Sequence, residues 1–175
     1  PDLYQGTEFW DFSLVDPDNR RPVDYQRRIA SLAAPHDLPP LLRDWPDGRI
    51  KQALIHRLLS LRERHRDIFD DGAYEPLALE GAAAESVIAF TRGDRSREHL
   101  VVVASRFSLR RLADDNMPLI PASAWGGGTL LLPSGADEIR NLLTDETFRD
   151  DGRISIAQIL SQLPVAVLWR GRSDA

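Results

Sequence analysis

Cysteine is absent from this chain of 175 residues. Disulfides and thiolate metal sites are therefore excluded, and the composition fits a cytoplasmic protein. Lysine is almost absent too: Lys51 is the only one, and arginine supplies the remaining fixed positive charge. Arginine forks onto carboxylates and stacks on aromatic faces, although a genome-wide codon bias leaves the same trace. No apolar run approaches about 18 residues, so no membrane partner is expected. Nor is there an excess of positive charge. The formal net charge is −5, which speaks against a general nucleic-acid binder. The histidines are His36, His56, His65 and His99. No two stand four apart on one helix face, and none has a Ser or Cys partner at a recognisable spacing. No internal repeat is present.

What is present reads as globular, with 42% hydrophobic and 28% charged residues. The richest stretch is the opening Pro1–Tyr25, PDLYQGTEFWDFSLVDPDNRRPVDY. It interleaves Glu8, Asp11, Asp16, Asp18, Asn19, Arg20 and Arg21 with Tyr4, Phe9, Trp10 and Phe12. Carboxylates and guanidinium forks beside aromatic faces suit sugar hydroxyls and sugar rings. The same residues also make a turn and a helix cap whose charges pair with each other. Glu8 either bonds sugar hydroxyls or neutralises an arginine of its own loop. Trp10 and Tyr4 either stack on a sugar or pack a core. Asp16 and Asp18 form a D-x-D pair, but a hard cation wants more oxygen ligands than two. No metal site and no cofactor is expected. The Trp125-Gly126-Gly127-Gly128 run resembles a flexible ligand loop but lacks the Lys-Ser/Thr ending of a phosphate loop, and reads as a glycine-rich hairpin connection.

Periodicity divides the chain near Asp70-Asp71-Gly72. Before it, Leu3–Thr7 reads as the end of a buried strand. Helices are expected over about Pro22–Ala34, over Pro40–Asp44, and over Arg49–Arg66 with Asp47 as N-cap. In the last, Ile50, Ala53, Leu54, Leu58 and Leu61 recur at helical spacing. After it come short strand-like runs at Tyr74–Leu79, Ser86–Thr91, Leu100–Ser105, Thr129–Leu132 and Val165–Trp169. Such punctuation predicts an antiparallel β-sandwich, with the continuous apolar Leu100–Ala104 as its central strand.

The spacing Pro1-x-x-Tyr4-x-Gly6-x-Glu8, followed by Asp16-Pro17-Asp18-Asn19-Arg20-Arg21-Pro22-Val23-Asp24, resembles the end of the catalytic barrel in the α-amylase superfamily of glycoside hydrolases. In its long form the stretch looks most like the maltooligosyl trehalose synthases of that superfamily. The tail Gln162–Leu168 is similar to the C-terminus of the same enzymes. The resemblance implies an α+β fragment. Residues 1–72 would be the last strand, active-site loop and terminal helices of a (β/α)8 barrel, and residues 73–175 a C-terminal antiparallel β-domain. The same-chain partner would be the missing N-terminal barrel, and the substrate a maltooligosaccharide or other α-1,4-glucan.

The implied reaction isomerises the reducing-end α-1,4 bond to an α,α-1,1 bond. Water must be kept out while the terminal glucose turns, and two carboxylates must flank the bond. The resemblance places those carboxylates on earlier barrel strands, so this chain is expected to hold no catalytic residue and to be inactive alone. Glu8, Trp10, Asp16, Asp18, Asn19, Arg20 and Arg21 are the expected substrate-binding residues, on the C-terminal rim where barrel sites are built. The other reading is a self-standing carbohydrate-binding or interaction β-domain, offering Tyr74, Phe90, Phe107, Trp125, Phe148 and Trp169.

Overall fold

Polar caps and apolar spacing set the helices of the first part. In a computed structural model, which describes residues 3–35, 37–94, 99–113, 116–132 and 138–170, the first helix, α1, spans Tyr25–Ala33. It starts later than Pro22 because Asp24 takes the N-cap, its carboxylate accepting the Arg27 N–H at 2.9 Å. α2 spans Leu38–Arg43 and α3 spans Arg49–Arg64. Asp47 accepts the Arg49 N–H at 2.9 Å at the start of α3. The helix stops short of Arg66 because His65 leaves helical dihedrals (φ −121°, ψ 49°) before α4, Arg66–Asp70. The His65 ring rests 4.5 Å from that of Trp169. No helix among the described residues is long and apolar enough to cross a membrane.

Contacts divide the chain into two compact units, Pro1–Ser60 and Leu61–Ala175. In the first unit, Phe9, Leu38, Leu42, Ile50 and Ala53 are buried. The strand expected at Leu3–Thr7 is a turn, in which the Thr7 N–H donates to the Tyr4 carbonyl at 3.2 Å. A strand needs a neighbour to take its peptide groups, and the described residues of this unit contain none.

Two cations hold the irregular segment instead. Lys51 Nζ donates to the Thr7 and Phe9 carbonyls at 2.7 and 2.9 Å. Arg28 Nε donates to Glu8 Oε2 at 3.0 Å, and the same guanidinium reaches the Gly6 carbonyl. The Glu8 carboxylate also accepts the Gly6 N–H at 3.0 Å. Gly6 sits at φ 94°, and a Cβ there would meet Val23 Cγ2 at 2.7 Å, so both the left-handed backbone and the close approach require glycine.

The second unit is antiparallel throughout its paired strands. β1 (Ala73–Pro76), β3 (Val87–Gly93), β4 (His99–Ser105), β9 (Val165–Arg170), β6 (Glu138–Asn141) and β7 (Thr147–Arg149) form one open sheet in that order. β2 (Leu79–Glu80), β5 (Thr129–Leu131) and β8 (Arg153–Ser155) form a second. The run expected as one strand over Tyr74–Leu79 changes sheets. Its last tie to β3 is the Leu77 N–H on the Ala89 carbonyl at 2.9 Å. Leu100–Ala104 is central as expected, between β3 and β9. Val87, Ala89, Val101, Val103, Ala166 and Leu168 of the first sheet share one core with Leu130 and Ile154 of the second. Each large apolar side chain fully buried there contributes about 1.5–3 kcal/mol. Trp125 belongs to that core, at 1% exposure. The glycines after it join a 3₁₀ turn, Ala122–Trp125, to β5 rather than closing a hairpin. The short helix α5, Ile156–Ile159, adds both its end residues to the core.

Gly72 marks the passage from α4 to β1. A Cβ there would lie 2.2 Å from the Ile68 carbonyl oxygen and 2.8 Å from Gly93 Cα, both backbone. Gly72→Ala is expected to destabilise the second unit by about 1–3 kcal/mol, read as a lower midpoint in urea denaturation.

The Glu8 carboxyl is pushed up by burial. The hydrogen bonds from the Gly6 and Glu8 N–H groups and from Arg28 outweigh this and hold it below its ordinary value. A carboxyl with a lowered folded pKa contributes stability above its unfolded value of about 4.3. That stability is lost as pH falls through the folded value. The urea midpoint of Glu8→Gln should therefore lie below that of the parent at pH 7, and the gap should narrow as pH falls below the unfolded value. A gap of constant size would contradict this.

Candidate functional site

The backbone ties just described hold the opening segment from the α1 and α3 side. Against the same segment lies a cleft of about 770 Å³. Tyr4, Trp10, Phe12, Asp11, Ser13, Asp18, Asn19, Arg21 and Arg28 line it, with backbone from Gly6 and Thr7 nearby. Of the expected residues, Trp10, Asp18, Asn19 and Arg21 are brought together here. Asp16 and Arg20 are not among the lining residues. They pair with each other, the guanidinium donating to Asp16 Oδ2 at 2.7 Å, and both side chains are more than half exposed. Glu8 lines a separate hollow with Leu3, Ile29 and Leu32, where it faces Arg28.

The aromatic residues divide cleanly. Phe9 is buried at 6% exposure, under the cations of Arg27 and Arg28 at 5.1 and 5.0 Å from its ring centre. Tyr4, Trp10 and Phe12 are 72%, 38% and 85% exposed. Trp10 is nevertheless fixed. Its Nε1–H donates to the Trp45 carbonyl at 2.5 Å, and its ring meets that of Trp45 edge-on at 6.3 Å. Lys51 Nζ stands 5.7 Å from the Trp10 ring centre, so the lone lysine serves both the backbone and the aromatic wall.

The Asp18 side chain orders the loop as well as lining the cleft. Its Oδ2 accepts the Leu14 N–H at 2.9 Å, and its Oδ1 takes the Arg21 guanidinium. A 3₁₀ turn over Asp18–Arg20 follows, where the sequence shows only turn chemistry. Arg21 remains 76% exposed despite the pair. Tyr4, which the sequence offers either to a sugar or to a core, lines the cleft, as do Asp11 and Phe12 of the same stretch; Ser13 and Arg28 are lining residues not anticipated as ligands. Hydrogen bonds from the Ser13 hydroxyl and the Ser13 N–H, the former first, hold the Asp11 carboxyl below its ordinary value. The only sequence signal for this was the Asx-turn pattern Asp11-x-Ser13. Arg28 carries none, because its role depends on the turn of α1.

Acidic and basic side chains are nearly balanced on this lining, with Asp11, Asp18 and Asp24 against Arg21 and Arg28. Such a surface offers acceptors, donor forks and apolar faces to a neutral, hydroxyl-rich ligand better than to an ion. Among the described residues, no group of three or more His, Cys, Asp or Glu side chains is arranged to hold a metal ion.

No family model matches the chain. Individual proteins do. A provisionally named maltooligosyl trehalose synthase of Mycobacterium tuberculosis is 37% identical over 171 residues, which is 97% of this chain and 18% of that protein. The solved structure of maltooligosyltrehalose synthase from Arthrobacter ramosus superposes with a TM-score of 0.69 at 35% identity, covering 96% of this chain and 20% of that one. A further crystal structure of maltooligosyl trehalose synthase gives a TM-score of 0.65 at 28% identity, over 97% of this chain and 19% of that one. The chain thus spans about one fifth of the length of the relatives it matches. Over nearly all of its own length it corresponds, in sequence and in its mixed helical and antiparallel fold, to the C-terminal part of the maltooligosyl trehalose synthases.

Proposed function

We propose that this chain acts as the C-terminal part of an enzyme that isomerises the reducing-end α-1,4 bond of maltooligosaccharides to an α,α-1,1 bond. The observation that carries the reading is the coincidence of two independent facts. The chain matches maltooligosyl trehalose synthases over 97% of its length. The opening stretch, residues 4–24, folds against a cleft whose lining mixes Trp10, Asp18, Asn19 and Arg21 with balanced charge. In this reading Arg21 and Asn19 donate to glucose hydroxyls, Asp18 and Asp11 accept from them, and Trp10 presents a fixed apolar edge. Asp16 and Arg20 stiffen the neighbouring turn, and Glu8 sets Arg28. The chain supplies grip on the sugar and exclusion of water. The reacting carboxylates come from a barrel in the same polypeptide, which acts in the cytoplasm. Residues 73–175 are its β-domain, with the two sheets as the layers of a sandwich.

The amphipathic helix α1 supports the barrel as partner. None of its residues is buried. Tyr25, Ile29 and Leu32 are 50%, 59% and 43% exposed beside Leu3 and Leu59. A helix that shows this much apolar surface normally has something laid against it.

Alone, the chain should release neither a trehalose-ended product nor glucose from maltopentaose; turnover above a blank would overturn the division of labour. Joined to the barrel portion of the Mycobacterium tuberculosis relative, it should restore turnover, and Ile29→Asp should lower the activity recovered while leaving the helix content of the isolated chain unchanged.

Within that joined enzyme, Arg21→Ala should lower kcat/KM by about ten- to a hundredfold, as expected for a lost charge-assisted bond of roughly 1.5–3 kcal/mol. Its exposed pair with Asp18 should cost no more than about 1 kcal/mol of stability. Arg20→Ala should change kcat/KM by less than about threefold, since an exposed pair outside the cleft is worth at most about 1 kcal/mol. Equal kinetic losses in both variants would put the binding surface elsewhere on the loop.

A further inference from the structure

The second unit carries a site that the cleft of the first does not account for. Phe107 adopts φ 53°, ψ 31°, a left-handed conformation that disfavours any residue bearing a Cβ. Glycine or asparagine occupies such positions at lower cost. The Phe107 ring is 61% exposed, so core packing does not explain the choice. Backbone strain kept at an exposed aromatic is the pattern found at ligand sites.

The surroundings are built. The Arg106 N–H donates to the Ser86 carbonyl at 2.8 Å, and Arg106 Nε to the Glu85 carbonyl at 2.6 Å. The Arg111 guanidinium is spent on three neutral acceptors: Ser86 Oγ at 2.7 Å, the Ala124 carbonyl at 2.9 Å and the Ala82 carbonyl at 3.2 Å. These bonds lock the loop after β4 onto the turn before β3. A hollow of about 310 Å³ lies between them, lined by Glu85, Ser86, Phe107, Arg110 and Arg111. That size is at the lower end of small-ligand pockets, about 300–1,000 Å³. Arg106 stacks 5.0 Å from the Phe107 ring centre and backs the ring. Among the described residues, no side-chain hydrogen bond or ion pair engages the Glu85 carboxylate or the Arg110 guanidinium.

We infer that this hollow binds one neutral hexopyranose ring of an α-glucan, with the ring face on Phe107 and its hydroxyls shared between Glu85 and Arg110. A carboxylate acceptor and a guanidinium donor left unpaired on one small lining match the two roles of a sugar hydroxyl. A carboxylate in that position also disfavours an anion. An aromatic face supplies the apolar contact that pyranose C–H groups need. The site lies wholly within residues 61–175 and stands whether or not the cleft around Trp10 and Arg21 binds sugar.

The test is a titration of the full 175-residue chain with maltopentaose, followed by the backbone amide signals of residues 105–111 in two-dimensional NMR. Arg21→Ala is included to separate this site from the first cleft. Saturable shifts in that loop, unchanged by Arg21→Ala, are expected. Phe107→Gly should weaken the binding at least tenfold without lowering the melting temperature, because it removes a Cβ from a left-handed position. Glu85→Gln and Arg110→Met should each weaken it threefold or more. Loop signals that do not move, or that move equally in Phe107→Gly, would overturn the inference. Equal shifts produced by sodium sulfate would also overturn it, since they would make the hollow an anion site.

Discussion

A run of some twenty residues with no α-helix or strand must still find partners for its peptide groups, and two cations take the carbonyls of Gly6, Thr7 and Phe9. Lys51 takes the carbonyls of Thr7 and Phe9, and Arg28 takes that of Gly6 while holding Glu8. A buried or half-buried carbonyl left unpaired costs on the order of 1–3 kcal/mol, so these bonds decide which way the segment faces. Both cations come from helices behind it. The single lysine in a chain otherwise supplied with arginine is placed where a compact ammonium can reach two carbonyls and an indole face at once, which a planar fork fits less well.

The cleft follows from that arrangement. With Phe9 pinned inward under Arg27 and Arg28, its neighbours Trp10 and Phe12 are left outward. Asp18 closes the loop by capping Leu14, so Asn19 and Arg21 are carried to the same lining as Trp10. Asp18 and Arg21 are positioned by the loop's own bonds, the Asp18 oxygens taking the Leu14 N–H and the Arg21 guanidinium, while Arg21 stays 76% exposed. A preorganised binding wall needs such support together with donor and acceptor capacity left over on its exposed side. The second unit repeats the device on a smaller scale, where Arg106 and Arg111 spend their donors on carbonyls and on the Ser86 hydroxyl and leave Glu85 and Arg110 facing a hollow.

Much of this was legible in the sequence. The apolar spacing of Ile50, Ala53 and Leu61 gave α3, and the unbroken Leu100–Ala104 run gave the central strand, because long periodic or continuous patterns leave few alternatives. The strands Glu138–Asn141, Thr147–Arg149 and Arg153–Ser155 were not legible. They are three or four residues long, with charged residues on the exposed face, and tertiary pairing rather than local preference makes them strands. In the site, composition announced a ligand-rich loop. It could not say that adjacent Arg20 and Arg21 answer to different carboxylates, nor that Glu8 turns toward Arg28, twenty residues on. Those assignments depend on the direction of single side chains, which neither spacing nor residue type encodes.

The dependence of the cleft on the two cations is open to direct measurement by amide hydrogen exchange in the parent chain and in Lys51→Met. The methionine keeps most of the apolar stem and removes the ammonium. If Lys51 holds the segment, exchange at residues 7–13 should quicken by tenfold or more, corresponding to the loss of about 1.4 kcal/mol or more, while the amides of Ala53–Leu58 in α3 keep their protection. Unchanged exchange at residues 7–13, or loss of protection spread evenly through the helix, would contradict the account.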